Sequence, residues 1–355
     1  MTTISVVITK RVQRAITEKV FPGCVVGIVA MNGSREVFTF GNLTYEAESR
    51  KVTEETLYDV ASITKSIPTA SIAHLLIEQG KLRITDKLID YIPEFRNSDR
   101  EIVLIKHLLT YTLDGYGLAS LKVKSTPQLI EALMTHDFEK RPGTIFKYSN
   151  IPAALLGLVV EKVSGETLDN LANAYFFKPL RMEKTTFFPE HFPLPDIAPT
   201  EIDSWRGLVQ GVVHDESAYY CKRDGKIVGH AGLFSTAPDI LNFLEMLLHG
   251  GVLCGKRYFS EETISQFETN QISELADCTG LGWELYQPRY MGKYSGKHTF
   301  GKTGFTGTLC VVDRERGVAY VILSNRTFPQ RPADSSAINQ FRADIGDIIL
   351  APSAQ

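Results

Sequence analysis

Residues 24–44 read CVVGIVAMNGSREVFTFGNLT, and this stretch predicts an antiparallel β-hairpin. Two runs rich in β-branched and aromatic residues flank the pair Asn32 and Gly33, which is a strong signal for a hairpin turn. The last third of the chain contains further strand-like pieces separated by turns: GLGWELY, HTFGKTG, GTLCVVD and GVAYVILSN. We therefore predict an antiparallel sheet that the two ends of the chain build together.

Helical patterns fill the rest of the chain. Apolar residues at helical spacing predict helices over residues 8–20, 66–79, 102–110, 126–134, 153–163, 238–249 and 335–350. The segment 187–220 is rich in proline and polar residues and is predicted to be a long ordered loop. The predicted fold class is α/β (α+β): helices flank a sheet domain of residues 1–61 and 225–355, and a mainly helical domain of residues 62–224 is inserted into it.

The composition is that of an ordinary globular protein, with 355 residues, 43% hydrophobic and 22% charged. A net charge of -3, with lysine and arginine spread along the chain, gives no basic surface, so we expect no nucleic-acid partner. No apolar run reaches the roughly 18 residues of a membrane span, and basic residues interrupt the apolar start before a signal-peptide core forms. We expect a cytoplasmic protein, whose five scattered cysteines are free thiols.

Three short motifs follow one another along the chain. They are S-x-x-K at residues 62–65 (SITK), Y-x-N at 148–150 (YSN) and K-T-G at 302–304. S-x-x-K is too frequent by chance to carry weight alone, whereas all three in this order indicate one shared site. Ser62 lies just ahead of a predicted helix, so Lys65 falls on the same helix face within reach of the serine hydroxyl. This spacing pairs a nucleophile with a base.

Acyl-transfer chemistry assigns roles to the other motif residues. A lysine accepts a proton from serine only if burial or a nearby cation lowers its pKa, and Lys302 is the candidate cation. Tyr148, beside two ammonium groups, is a candidate phenolate that exchanges protons with Ser62 and the leaving group. Asn150 is expected to hydrogen-bond Lys65 and a substrate amide. Backbone N–H groups, one from the serine and one near residue 305, are expected to form an oxyanion hole.

With these motifs the chain resembles the penicillin-recognising serine hydrolases, which include class C β-lactamases, D-Ala-D-Ala carboxypeptidases, D-aminopeptidases and family VIII esterases. The resemblance extends over nearly the whole chain through LYDVASITKS, GKLRITDKLIDYIPEF, IKHLLTYT, RPGTIFKYSN, VHDESAYY, GHAGLFST and FGKTGFTGT. It implies a β-lactamase/transpeptidase-like fold with the active site at the interface of the two domains. LLTYTLDG departs from the more usual LLTHTSGL beside the site.

The resemblance also implies the chemistry and the partner. The expected enzyme is a serine hydrolase that needs no cofactor or metal and acts on a small acyl substrate: a β-lactam, an ester or a D-amino-acid peptide. It implies that Ser62 is the acylated nucleophile and that Lys65 and Tyr148 transfer protons. The substrate-binding residues are then predicted to be Asn150, Lys302, Thr303, Gly304, Phe305 and Arg326. The intact K-T-G favours a substrate with a carboxylate, whereas the missing signal peptide argues against a cell-wall or β-lactam-defence role.

Other interpretations compete with this one. One alternative is a carboxylesterase or D-peptidase without β-lactamase activity. Another is a catalytically silent sensor of the penicillin-binding type. GKHTFGKT, residues 296–303, matches a P-loop nucleotide site, but the following residues favour a strand where a P-loop needs a helix.

Two groups of residues lie outside the three motifs. His214, Asp215, Glu216 and His230 are of types that bind metal, but their spacing favours a loop at the pocket rim. Tyr111, Tyr116 and Trp283 are candidate pocket aromatics, and such residues are more often found in the core.

Overall fold

The structure is a computed structural model that describes residues 3–96, 100–114, 118, 122–135 and 137–352. Its central sheet has six strands: β1 (Gly23–Ala30), β2 (Arg35–Gly41), β9 (Glu284–Leu285), β10 (Phe300–Thr303), β11 (Leu309–Asp313) and β12 (Val318–Ser324). Their order is β2-β1-β12-β11-β10-β9, and every neighbouring pair is antiparallel. The predicted sheet, built from both ends of the chain, is confirmed.

The first hairpin follows its sequence pattern closely. Asn32 accepts a hydrogen bond from the backbone N–H of Ser34 at 3.0 Å, and Gly33 has a φ of +80°, which glycine adopts without strain. Because side chains alternate along a strand, Val25 faces one hydrophobic core and Val26 faces the other. β1 is buried on both faces, which explains its continuous apolar sequence.

Eleven helices occur in the described part of the chain: α1 (Thr3–Thr17), α2 (Ser71–Glu78), α3 (Ile105–Thr110), α4 (Thr126–Thr135), α5 (Ile151–Ser164), α6 (Leu168–Ala172), α7 (Glu216–Arg223), α8 (Ala237–Leu248), α9 (Glu261–Phe267), α10 (Pro288–Met291) and α11 (Ser336–Leu350). α1 and α11 cover one face of the sheet, and α8 covers the other. Among the described residues, none of these helices is long and apolar enough to cross a membrane.

The helix predicted over 66–79 has an irregular beginning. A 3₁₀ turn (Ala61–Lys65) and a π turn (Ser66–Ala70) precede α2. Ile67 leaves the helical region, with φ -115° and ψ 107°, because the proline that follows it disfavours the α conformation. Ser62 and Lys65, expected on one face of a regular helix, lie together in the 3₁₀ turn instead.

The loop predicted over 187–220 is partly wrong, since it contains regular structure. β4 (Glu201–Asp203) and β5 (Gly207–Val209) form a small hairpin, and α7 begins inside the segment. The Asp203 carboxylate accepts hydrogen bonds from the turn amides of residues 205 and 206, and Asp215 caps α7 by accepting from the Ala218 amide at 2.9 Å.

Two further strand pairings complete the fold. β3 (Tyr58–Asp59) pairs with β6 (Phe234–Ser235), and β7 (Val252–Leu253) pairs with β8 (Lys256–Arg257). The division into domains at residues 62 and 225 stays a prediction.

Candidate active site

Ser62 lies in the 3₁₀ turn between β3 and α2, and Lys65 lies beneath it. The Lys65 ammonium nitrogen Nζ donates to Ser62 Oγ at 2.8 Å and to the carbonyl oxygen of His230 at 2.7 Å. Lys65 is almost fully buried, at 1% exposure. The predicted contact between nucleophile and base is present in the structure.

The backbone around Ser62 is held by buried hydrogen bonds. Ala61 has a φ of +48°, an unfavourable conformation for a residue with a side chain, and its N–H donates to Asp59 Oδ1 at 2.8 Å. The other oxygen of this carboxylate accepts from the His214 N–H at 2.8 Å. Thr306 Oγ1 donates to the Asp59 carbonyl at 2.7 Å, which ties the turn after β10 to the serine turn.

The environment of Lys65 lowers its pKa. Burial lowers its pKa to about 7, and the positive charge of Lys302 acts in the same direction. The carboxylates of Asp215 and Glu284 oppose the shift only in part. A substantial fraction of Lys65 is therefore neutral near pH 7 and able to accept the serine proton.

Tyr148 does not fit the predicted phenolate. Desolvation raises its pKa above the usual range, although 42% of the residue's surface is exposed at the pocket, and the opposing effect of Lys302 is smaller. The two ammonium groups approach the face of its ring, with Lys302 Nζ at 4.4 Å and Lys65 Nζ at 5.4 Å from the centroid. Tyr148 thus stays protonated, so its hydroxyl can donate a proton but is not poised to accept one.

Lys302 is fully buried and has a partner that the motif did not predict. Its Nζ donates to Glu284 Oε1 at 2.9 Å and to the Tyr111 hydroxyl at 3.4 Å. Burial alone would raise the pKa of Glu284, but Lys302 and a hydrogen bond from Tyr290 hold it below its ordinary value. Glu284 therefore balances the charge of Lys302. The sequence signal was its position in the strand-like piece GLGWELY, the strand that immediately precedes the K-T-G strand along the chain.

Above this ion pair lies a pocket of about 370 Å³. Its lining includes seven of the predicted site residues: Ser62, Tyr148, Asn150, Thr303, Gly304, Phe305 and Arg326. Gly304 must be glycine, because a Cβ there would lie 2.0 Å from Thr308 Oγ1 and 2.4 Å from the carbonyl oxygen of Val60. Lys302 is not among the lining residues, since it lies behind this wall.

Basic residues missed by sequence reasoning also line the pocket: Arg289, Arg331 and Arg342. Arg342 is 3% exposed, and its Nη2 donates to the carbonyl oxygens of Gly304 and Thr308 at 2.8 and 2.7 Å. Arg326 donates to the Phe305 carbonyl at 2.8 Å. Arg289 lies in α10 and the other arginines follow the last strand, so no local motif linked them to Ser62. Together they make the pocket favourable for an anionic group.

The opposite wall is formed by the start of α7. Asn150 Nδ2 donates to Asp215 Oδ2 at 3.2 Å, where a contact with Lys65 was predicted. His230 Nε2 lies 3.3 Å from Asp215 Oδ1 and 3.0 Å from Ser217 Oγ. The pKa of Asp215 lies well below its ordinary value. Burial acts to raise it, but the interaction with His230 and the hydrogen bonds from His230, the Ala218 N–H and Ser217 together outweigh burial.

The residues suggested as metal ligands and the segment that matches a P-loop have other surroundings than those functions require. Among the described residues, no three His, Cys, Asp or Glu side chains are placed to hold a metal ion. His214 stacks on Phe305 at 5.6 Å, at the pocket rim as predicted. A turn and the antiparallel strand β11 follow Lys302, so the helix that a P-loop requires is replaced by a strand.

The candidate aromatic residues have different positions. Trp283 is fully buried and packs edge-on against Phe300 in the core, with ring centroids 5.5 Å apart. Tyr111 lies under the pocket, 5.2 Å from the Tyr148 ring. Tyr116 falls outside the described residues.

Comparisons with known proteins point to one family. The family model described as Beta-lactamase matches residues 8–344. A protein of Escherichia coli strain K12, provisionally named a D-alanyl-D-alanine carboxypeptidase, is 31% identical over 335 residues, which cover 85% of this chain and 76% of that protein.

Solved structures share the fold. EstCE1, described as a hydrolase with promiscuous acyltransferase activity, superposes with a TM-score of 0.77 at 21% identity over 98% of both chains. The octameric penicillin-binding protein homologue from Pyrococcus abyssi gives a TM-score of 0.72 at 25% identity, over 90% of this chain and 72% of that one. The fold is therefore of the β-lactamase/transpeptidase type.

Proposed function

Because the chain belongs to the beta-lactamase family, we propose that it is a serine hydrolase that cleaves a small ester, β-lactam or D-amino-acid amide through an acyl-enzyme on Ser62. The observation that carries this proposal is the 2.8 Å hydrogen bond between Lys65 Nζ and Ser62 Oγ, in a site where burial lowers the pKa of Lys65 to about 7. A nucleophile and a base with a suitable pKa are in contact at the floor of a pocket.

The residues present supply each step of acylation. Neutral Lys65 takes the hydroxyl proton while Ser62 Oγ forms a bond to the substrate carbonyl carbon. Backbone N–H groups of Ser62 and Phe305 are the proposed donors to the resulting oxyanion. The carbonyl then re-forms, the bond to the leaving group breaks, and Tyr148 donates its hydroxyl proton to that group. Proton transfer from the Lys65 ammonium restores Tyr148.

Hydrolysis of the acyl-enzyme repeats the sequence with water. Lys65, neutral again, accepts a proton from a water molecule that attacks the acyl carbon. The ester bond to Ser62 breaks, and the Lys65 ammonium returns its proton to the serine oxygen, which restores the free enzyme. Asn150 is proposed to orient the substrate amide, and Thr303 and Arg342 to bind a carboxylate on the leaving side.

One observation favours a second candidate, a carboxylesterase or D-peptidase without β-lactamase activity. The charge of Lys302, expected to bind the substrate carboxylate, is balanced by Glu284 at 2.9 Å. A lysine whose charge is balanced attracts an anion less strongly than one without a counter-charge. Lys302 therefore gives carboxylate-bearing substrates a smaller binding advantage over neutral esters.

The test compares a chromogenic cephalosporin with p-nitrophenyl acetate. We expect Ser62→Ala to reduce turnover of every true substrate to background, and Lys65→Ala to reduce kcat by roughly 10²–10⁴. Ser164→Ala, at the end of α5 outside the pocket, is the matched control. Mass spectrometry of a slowly deacylated substrate should find the acyl group on Ser62.

Each result separates the candidates. Cephalosporin turnover that depends on Ser62 identifies a β-lactamase, and turnover of the ester alone identifies an esterase or peptidase. Unchanged activity in Ser62→Ala would contradict the mechanism.

A further inference from the structure

A second cavity, of about 470 Å³, adjoins the pocket of Ser62. Its walls include Val123, Trp205 and Tyr220, and it shares Glu216 and Arg331 with the first pocket. The mechanism above does not use this space. Its volume is within the range of small-molecule sites.

The aromatic wall of this second cavity is exposed but held in place. Trp205 is 47% exposed, and its ring lies parallel to that of Tyr220, with 8° between the planes and 5.3 Å between the centroids. The guanidinium of Arg206 lies 4.6 Å from the Trp205 centroid and is fixed by Asp203 at 2.6 Å and by the carbonyl of Val213 at 3.0 Å. A preorganised aromatic surface binds a flat or bulky apolar group at low entropic cost.

An ion pair between Arg331 and Glu216 lines both cavities. Arg331 Nη2 lies 2.8 Å from Glu216 Oε1 and also binds Glu201. The Glu201 side chain is only 5% exposed, whereas those of Glu216 and Arg331 are 38% and 37% exposed. An ion pair this exposed contributes little to stability, so Glu216 can turn away while Glu201 keeps Arg331 in place. The two cavities then form one continuous space.

The placement of polar groups indicates which end of the substrate enters the second cavity. Thr303 comes from β10 and Arg342 from α11, whereas Glu216 stands at the start of α7. A substrate whose leaving-side carboxylate is bound by Thr303 and Arg342 directs its acyl end away from them, towards Glu216. We propose that the second cavity binds the acyl end of the substrate and selects an aromatic or bulky apolar acyl group. This assignment rests on the Ser62 acyl-enzyme proposed above.

Two p-nitrophenyl esters with the same leaving group test the proposal: the acetate and the 4-phenylbutyrate. Trp205→Ala should lower kcat/KM for the phenylbutyrate about tenfold and change that for the acetate by less than about twofold. Trp205→Phe keeps an aromatic surface and should restore most of the loss. Leu208→Ala is the matched control, because Leu208 is a 52% exposed apolar residue of the same hairpin outside the described lining of both cavities.

The outcomes distinguish this proposal from the proposed function. An equal loss on both esters, or no loss on the phenylbutyrate, rejects the second cavity as the acyl site. A second series of acetate esters carries the phenyl group on the alcohol, which is the leaving side. If Trp205→Ala affects only that series, the second cavity does not bind the acyl end and the proposal is rejected. If wild type and Ser62→Ala hydrolyse p-nitrophenyl acetate equally, the proposed function itself fails.

Discussion

The base role proposed for Lys65 depends on the residues that surround it. Burial and Lys302 disfavour its ammonium, whereas Asp215 and Glu284 stabilise it, and the pKa of about 7 is the balance of these effects. Tyr148 also faces this group, and its pKa is raised by desolvation. The proposed base therefore works at neutral pH, and activity should fall as the pH drops below 7, where Lys65 becomes protonated.

This balance predicts the effect of Asp215→Asn. Removing a negative charge destabilises the Lys65 ammonium and lowers its pKa, so the acidic limb of kcat/KM should move to lower pH. The maximum rate should fall, because Asn150 loses its carboxylate partner. The measurement is the pH profile of ester hydrolysis from pH 5 to 9. Asp224→Asn, at the far end of α7, is the charge-matched control. An unmoved limb, or a shift to higher pH, would refute the role given to Asp215.

Single residues were predictable where their partners are close in sequence. Ser62 and Lys65 are three positions apart, and once the three motifs together indicated one site, that spacing predicted their contact. Glu284 and Arg342 were missed because pairing between strands and packing of α11 bring them to the site over long sequence distances. The phenolate predicted for Tyr148 was wrong because desolvation raises its pKa, and the sequence does not show how deeply the packed site desolvates the hydroxyl.

At the scale of elements, the turn between β10 and β11 positions the serine turn. Thr306 is 1% exposed and donates to the Asp59 carbonyl, so Thr306→Val removes one buried hydrogen bond at nearly constant shape. We expect the free energy of unfolding to fall by about 1–3 kcal/mol. We also expect kcat to fall severalfold, with a smaller change in KM, because the backbone before Ser62 is no longer held.

A control separates the two effects of Thr306→Val. Thr9 makes a similar hydrogen bond to the Ser5 carbonyl, at 2.7 Å, in α1 far from the pocket. Thr9→Val should cost stability without changing kcat. Urea denaturation and steady-state kinetics measure both quantities. If Thr306→Val lowers stability but leaves kcat unchanged, as expected for Thr9→Val, the turn does not position the nucleophile.

Elements were predictable where local pattern and tertiary environment agree. The β1–β2 hairpin combines a turn signal with two strand-forming runs, and it formed as predicted. The β4–β5 hairpin was missed because its strands have three residues each and depend on distant support, including a hydrogen bond from the Ile202 N–H to the Pro329 carbonyl at 2.7 Å. Short strands stabilised from outside carry almost no periodic signal.

For the whole molecule, the central sheet separates two hydrophobic cores with different relations to the site. The larger core packs beneath the serine turn and α2, and the smaller one packs between the sheet, α1 and α11. The union of both chain ends in one sheet was predictable, because strand-like runs occur at both ends. The contribution of α11 to the pocket was not, since Arg342 reaches the site only after that helix docks on the sheet.

Substitutions in the smaller core test this separation. Ile8 in α1 is fully buried, and Ile8→Ala should lower the free energy of unfolding by about 2–5 kcal/mol through lost burial and a residual cavity. Its kcat and KM should stay unchanged, because α1 contributes no residue to the pocket lining described above. Ile4→Ala, at a 41% exposed position of the same helix, should change neither property.

The same substitution in α11 should behave differently. Ile345 is equally buried in the smaller core, and Ile345→Ala should cost a similar 2–5 kcal/mol. Because α11 also carries Arg342, any shift of that helix moves the guanidinium that binds the Gly304 carbonyl. We therefore expect KM for a carboxylate-bearing substrate to rise severalfold in Ile345→Ala and to stay constant in Ile8→Ala, as measured by steady-state kinetics under folding conditions. If KM changes equally in both variants, α11 does not link the smaller core to the pocket, and Arg342 is held by the sheet alone.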